Sequence, residues 1–153
     1  MGVISDVKVL ELAVDKFLFR FPADLYYSEA GIWVRFEGLR ARIGLSDFTQ
    51  QRNGDVAFAE PKEEGTPVRM GDEVAVVETI KVNLSIPSPA GGKVVEVNHD
   101  LETAPELVNQ DPYGKGWLAV LDIEDANAAR GVLKTAADYL ALAKVQAEAE
   151  VLR

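Results

Sequence analysis

Cysteine is absent from this chain. That absence excludes disulfides, thiolate nucleophiles and cysteine-ligated metals together, and it fits a reducing compartment. Histidine is nearly absent: His99 is the single one. A lone histidine following a strand reads as a surface or capping residue rather than a catalyst. No apolar run is long enough to cross a bilayer. The first residues, Met1 to Asp6, lack the basic segment and apolar core of a secretory leader. Asp6 stands where the myristoylation pattern wants Ser or Thr. The expected location is cytoplasmic. Basic residues are also in deficit, 16 against 25 acidic ones, for a formal net charge of −9. An acidic surface repels phosphate backbones and anionic lipid heads, so neither nucleic acid nor membrane is an expected partner. Basic protein surfaces are better matched. The same charge is equally that of an ordinary acidic protein in solution.

What is present suffices for a core. Hydrophobic residues make up 48% of the 153 and charged residues 27%, which separates the chain from disordered polymers and suits one domain. The expected organisation is a single unit, 1–153, with a β core over 22–123 and a helical C-terminal extension over 124–153.

The stretch Val7 to Phe21 mixes strand-like alternation with a looser apolar pattern, and it is read as a short helix interrupted by Pro22. Ile32 to Glu37 reads as a strand, Gly38 as a turn, and Ala41 to Leu45 as the returning arm of a hairpin. Ser46 is placed to cap a short helix through about Gln51, ended by Asn53-Gly54. Short strands then follow closely: Val56–Ala59, a stub within Gly65–Asp72, Glu73–Glu78, Val82–Ile86, Lys93–Val97 and Gly116–Leu121. Pro87-Ser88-Pro89 and Gly91-Gly92 punctuate them. Short strands with frequent turns mean a mainly β sandwich or barrel rather than a doubly wound sheet. From Asp125 onward the pattern changes. Val132, Leu133, Ala136, Tyr139, Leu140, Ala143 and Val145 recur at near-helical spacing, as one helix or as two broken near Gly131. Packing on the barrel is the ordinary use of such a stripe, and docking a partner is the functional alternative.

The segment that carries chemistry runs from Pro67 to Gly92. Two strands flank Thr79-Ile80-Lys81. A lysine at a hairpin tip stands clear of the sheet, so a modifying enzyme can reach it, and the rigid hairpin fixes the root of anything attached. Gly91-Gly92-Lys93 lacks the spacing and the following Ser or Thr of a phosphate loop and reads as a turn.

Gly71 to Lys81, followed by Ser88 to Val94, resembles the lipoyl-attachment signature, with Glu78 three residues before the modified Lys81. Biotin carriers flank their lysine with methionines, whereas Ile80 and Val82 stand here. The resemblance extends from about Tyr26 to Leu121 and narrows to the H-protein family of the glycine cleavage system. Ala41 to Phe48, Asn53 to Phe58, Glu96 to Asn98, Pro105 to Asn109 and Asp111 to Leu118 all follow the family's blocks in order. The resemblance implies a lipoyl-domain-like barrel-sandwich hybrid of two antiparallel sheets, with a short internal helix and the C-terminal extension. It implies lipoic acid on Lys81 as a covalent lipoyl-lysine, and Glu78 as a recognition point for lipoate-attaching enzymes.

It also implies a carrier rather than an enzyme, since the cofactor does the chemistry and the protein gives it an address. No convergent acid–base or nucleophilic cluster is legible in the sequence. In glycine cleavage such a carrier takes an aminomethyl group between partner enzymes. Here Ser28 to Trp33 departs from the family's usual segment before the tryptophan, and Thr79, Ile80, Val82 and Asn83 depart around the lysine. Both ends also look longer. These departures resemble the lipoate-binding H-like proteins that serve a cytoplasmic heterodisulfide-reductase-like complex in sulfur oxidation. On the sequence, sulfur is therefore the preferred cargo, and glycine cleavage partner enzymes are the alternative. An unmodified H-like scaffold, binding partners through its acidic face and C-terminal helix, is the reading of another class.

Overall fold

The computed structural model describes residues 8–151. The expectations for Met1 to Asp6 lie outside them. Twelve strands are described: β1 Val9–Val14, β2 Phe17–Pro22, β3 Tyr26–Tyr27, β4 Ile32–Glu37, β5 Arg40–Leu45, β6 Val56–Pro61, β7 Pro67–Val68, β8 Glu73–Thr79, β9 Asn83–Pro87, β10 Gly92–Val97, β11 Ala119–Ile123 and β12 Lys134–Thr135. Four α-helices accompany them: α1 Asp47–Asn53, α2 Leu107–Gln110, α3 Ala126–Val132 and α4 Ala136–Val151.

All the strand pairs are antiparallel. One sheet runs β12-β3-β4-β5-β11-β10-β7 and a second runs β6-β8-β9. These are the two antiparallel sheets of the barrel-sandwich expectation. Their inner faces bury Val34, Ile43, Val74, Val77, Ile86 and Leu121 in one cluster. Each such side chain contributes roughly 1.5–3 kcal/mol by leaving water. Along β8, Val74 and Ala75 are both buried, which breaks the period of two. A register shift against β9 between Glu73 and Ala75 explains it, because a bulge turns one extra residue inward.

The N-terminal stretch corrects the sequence reading. It is not a short helix but a β1–β2 hairpin, paired from Val9 with Pro22 to Val14 with Phe17. Leu12 and Val14 on β1, and Phe19 and Phe21 on β2, alternate into the interior. The alternation was masked because Phe17 and Leu18 are apolar yet exposed. Asp15 takes φ 54° at the turn, a conformation that Asp tolerates better than most residues.

α1 forms as expected. The Ser46 hydroxyl accepts from the Thr49 N–H, and Gly54, at φ 86°, ends the helix. The C-terminal stripe is broken after Gly131. Leu133 is extended and β12 pairs with β3 before α4 begins. α4 turns Ala136, Tyr139, Ala143 and Ala147 inward. Alanines at this spacing let the helix sit close to its neighbour. It packs on the β1–β2 hairpin and on the β12–β3 edge of the larger sheet, in a second apolar cluster with Phe21, Tyr27, Trp33 and Phe48. Val132 and Val145, counted in the sequence stripe, face solvent instead. No helix among the described residues is long and apolar enough to cross a membrane.

Candidate functional site

The β8–β9 ladder closes at Glu78 opposite Asn83, leaving Thr79 to Val82 as the tip. Thr79 organises it. Its N–H donates to the Val82 carbonyl at 2.9 Å, and its hydroxyl donates to the same oxygen at 3.1 Å. That hydroxyl also accepts from the N–H groups of Lys81 and Val82, each at 3.1 Å. One donor and two acceptor positions are all a hydroxyl has, so Thr79 is fully used. The Ile80 N–H donates to the Asp55 carbonyl at 3.2 Å, which ties the tip to the loop leaving α1. With the backbone so held, the side chains of Ile80 and Lys81 are exposed.

A second layer holds that loop. Asn109, from α2, donates to the Gly54 carbonyl and to Gln50 Oε1, each at 3.0 Å, and its Oδ1 accepts from the Val56 N–H at 2.8 Å. Gly54 is required by its φ of 86°, which disfavours other residues; a Cβ there would make only an ordinary contact, 3.4 Å from Lys81 Cδ. The Lys81 side chain thus lies across the glycine, and its Nζ donates to the Arg52 carbonyl at 3.1 Å. Arg52 is pinned in turn. Its guanidinium lies over the Phe48 ring at 5.0 Å and pairs with Glu150 and Gln146 of α4.

Lys81 belongs to no ion pair among the described residues. Its one polar partner is a neutral carbonyl. That arrangement fits acylation: an amide nitrogen still carries one N–H, so the Arg52 carbonyl keeps a donor of the same kind after the charge is gone. Glu78 lies one residue pair below the tip, half-buried, between Asn83 on β9 and Phe58 on β6. It does not bond to Lys81 and has no ion pair among the described residues. His99 is on the surface beside Glu64 and Glu102. Among the described residues no group of three or more His, Asp or Glu is placed to hold a metal ion.

Residues 25–146 match the family described as Glycine cleavage H-protein. The chain belongs to the glycine cleavage H-protein family. It is 43% identical over 116 residues to the glycine cleavage system H protein of Symbiobacterium thermophilum, covering 76% of this chain and 91% of that one. Against the H protein of Coxiella burnetii it is 46% identical over 106 residues, 69% of this chain and 82% of that one. Its fold is similar to the crystal structure of an H protein from Mycobacterium marinum, with TM-score 0.71, 30% identity, and coverage of 79% and 97%. H-protein-family members carry lipoate covalently on a lysine.

Two sequence blocks of the H-protein pattern prove to be structural supports. Asp111 to Trp117 forms tight turns, with the Pro112 carbonyl accepting from Trp33 Nε1 at 2.8 Å. Gly44 lies under the Trp33 indole with no room for a Cβ. The Ser28–Trp33 segment, where this chain departs from the common H-protein pattern, turns at Gly31 and brings Glu29 and Ala30 into the same groove as Lys81. Thr79, Asn109 and Arg52 were missed from the sequence. Thr79 carries a local signal, since a Thr hydroxyl bonding backbone two residues on is a known turn device. Asn109 and Arg52 act across the fold and carry none.

Proposed function

We propose that this chain is a lipoyl carrier with its arm on Lys81, serving lipoate-attaching enzymes and the partner enzymes of glycine cleavage. The observation that carries the reading is an exposed lysine at a fully hydrogen-bonded hairpin tip, in a chain of this family. When bound, the lipoyl group supplies a disulfide that a nucleophile can open and that can hold a group on one sulfur. The chain's own part is to hold the root of the arm, through Thr79, Gly54 and Asn109, and to present it beside Ile80. Tethering raises the effective concentration of the arm at each docked partner. Glu78 serves the attaching enzyme rather than the fold, because its carboxylate makes no ion pair or hydrogen bond among the described residues. The chain is proposed to act as one unit in the cytoplasm, with a barrel core over 22–123 and a largely helical extension after it, interrupted by β12.

The sequence by itself ranked sulfur as the cargo. The names of the relatives support the other order. Those covered over about nine-tenths of their own length carry the glycine cleavage name. The sulfur reading keeps one specific support: the departing residues Glu29, Ala30, Ile80 and Val82 gather around Lys81, where a partner would dock. The test is to lipoylate the purified protein and supply it to a glycine decarboxylase with its remaining partners. Exchange of labelled bicarbonate into glycine at a rate like that of an authentic H-protein supports glycine cleavage. Negligible exchange, with persulfide on the reduced arm after incubation with a sulfur donor, reverses the assignment.

A further inference from the structure

The larger sheet turns one face toward β6-β8-β9 and the other outward. On β5 and β11 the inward residues are Ala41, Ile43, Ala119 and Leu121. Arg42 and Val120, paired between those strands, therefore face out, and so does Arg35, paired with Arg42 from β4. Two arginines thus stand directly opposite each other on neighbouring strands, where like charges destabilise a sheet. Neither belongs to an ion pair among the described residues, in a chain with 25 acidic residues. Glu96 ends the same row, paired with Val120, and does not reach them. The next row along the sheet is built differently. It pairs Glu37 with Arg40, Arg40 with Asp122 and Asp122 with Lys93, so its charges alternate.

Aromatic rings hold the two guanidinium groups in place. Arg42 lies over the Trp117 ring at 4.2 Å and Arg35 over the Trp33 ring at 5.2 Å. Those residues are themselves fixed. Trp33 Nε1 donates to the Pro112 carbonyl, and Asn98 Nδ2 donates to the Trp117 carbonyl, each at 2.8 Å. Arg35 donates one N–H to the Tyr113 carbonyl at 3.4 Å, and the Arg42 guanidinium donates to no protein group among the described residues. Each guanidinium carries five N–H donors and no acceptor, so most of the donors stay free. Packing accounts for the stems, which cover the buried Val120, but not for the free forks. We propose that Arg35 and Arg42 form a docking point for an acidic segment of a partner protein, with one Asp or Glu carboxylate bridging the two guanidinium groups. A carboxylate matches the planar fork and offsets the repulsion between the arginines. The rings already hold the forks, so little side-chain freedom is lost on binding. An open strand face suits an extended segment, and the alternating row beside it can meet further charges of either sign. The face is turned away from β6-β8-β9, which carries Lys81, so a partner held here leaves the arm free. The proposal stands whether or not Lys81 is modified.

The experiment titrates the full isotope-labelled chain with a hexaglutamate peptide, and in parallel with inorganic phosphate. At a net charge of −9 the protein repels a polyanion as a whole, so peptide binding requires a local site. The Nε–H resonances of Arg35 and Arg42 should shift together and saturate, and raised salt should weaken the binding. Arg42→Gln should weaken it by about tenfold, as the loss of a charged hydrogen bond does. Arg42→Lys, which keeps the charge without the fork, should fall between. The melting temperature of Arg42→Gln should hold or rise, because a like-charge contact is removed. A lower melting temperature with unchanged peptide binding would make Arg42 a cover for Trp117 and overturn the site. The parent titration decides even where a variant is unstable. Absence of arginine shifts, or shifts centred on Arg20 or Lys134 instead, overturns the docking point. Shifts with phosphate and none with the peptide overturn the protein partner in favour of a small anion.

Discussion

Lys81 and Arg52 meet through one hydrogen bond, from the lysine Nζ to the arginine's backbone carbonyl at 3.1 Å, across 29 residues of sequence. The acceptor is main chain, so the contact depends on where α1 ends and not on the arginine side chain. The first prediction follows from the exposure of Lys81. Lys81→Arg should abolish lipoylation, since a guanidinium is a poor nucleophile toward an activated acyl group. Stability should change by no more than about 0.5 kcal/mol, as at other surface positions. Intact mass and thermal unfolding read the two effects. A lipoylated variant, or one that fails to unfold cooperatively, contradicts the assignment.

Thr79 should matter more than its size suggests. Thr79→Val keeps the shape and removes a hydroxyl that accepts from Lys81 and Val82 and donates to Val82. The expected cost is about 1 kcal/mol, concentrated at the tip. Amide exchange at Lys81 and Val82 should accelerate and the lipoylation rate should fall, while Thr79→Ser restores both. Unchanged exchange in the valine variant would show that the tip is held by other means.

Glu78→Gln separates recognition from structure. The carboxylate is half-buried beside Phe58 and Asn83 and forms no ion pair among the described residues. The melting temperature should hold while in vitro modification of Lys81 slows. Equal modification rates for the two proteins would remove Glu78 from the site.

Two tyrosines set the alkaline limit. Burial, first among the causes, raises the hydroxyls of Tyr27 and Tyr113 well above the usual tyrosine range. Tyr27 donates to the Pro22 carbonyl at 2.8 Å; Tyr113 donates to the Arg20 carbonyl at 2.6 Å and accepts from the Asp47 N–H at 2.9 Å. A raised folded-state pKa favours the protonated, folded form. Its contribution is fully present below the unfolded value of about 10 and is lost as pH climbs from there toward the folded value. Stability should therefore fall above pH ~10, with tyrosinate absorbance rising together with loss of circular dichroism. Tyr113→Phe should cost about 1–2 kcal/mol at neutral pH and make the alkaline fall shallower. Complete tyrosine ionisation before any loss of structure would contradict this.

How far the site was legible depends on the range of the interaction. Glu78 and Lys81 stand out in the sequence because a strand–turn–strand is local and is written in consecutive residues. The Ser46 cap and Gly54 stop of α1 were found for the same reason. Asn109 was not, since its role is to bond Gly54 and Val56 from more than fifty residues away. The N-terminal hairpin differs from the helix that the sequence suggested because Leu18 puts an apolar residue on the outer face of β2. Phe19 and Phe21 face the core, Phe17 shares their face but is exposed at the hairpin end, and Leu18 is apolar on the opposite face; a period of two fades when both phases carry apolar residues.

The order of residues alone determined the mainly β architecture, the short helix and the lysine at a hairpin tip, and left open whether the C-terminal stripe breaks near Gly131. Each is a matter of alternation, capping and turn chemistry within a few residues. Tertiary structure decided what surrounds that lysine. The end of α1, the Asn109 pin, the β1–β2 hairpin and the last turn of α4 converge there from four separate parts of the chain. The physical reason is that the second apolar cluster joins the two ends. Phe21 and Tyr139 stand edge to face at 5.6 Å with most of the sequence between them. Such a contact depends on shape and burial in the folded state, which no short window of residues encodes.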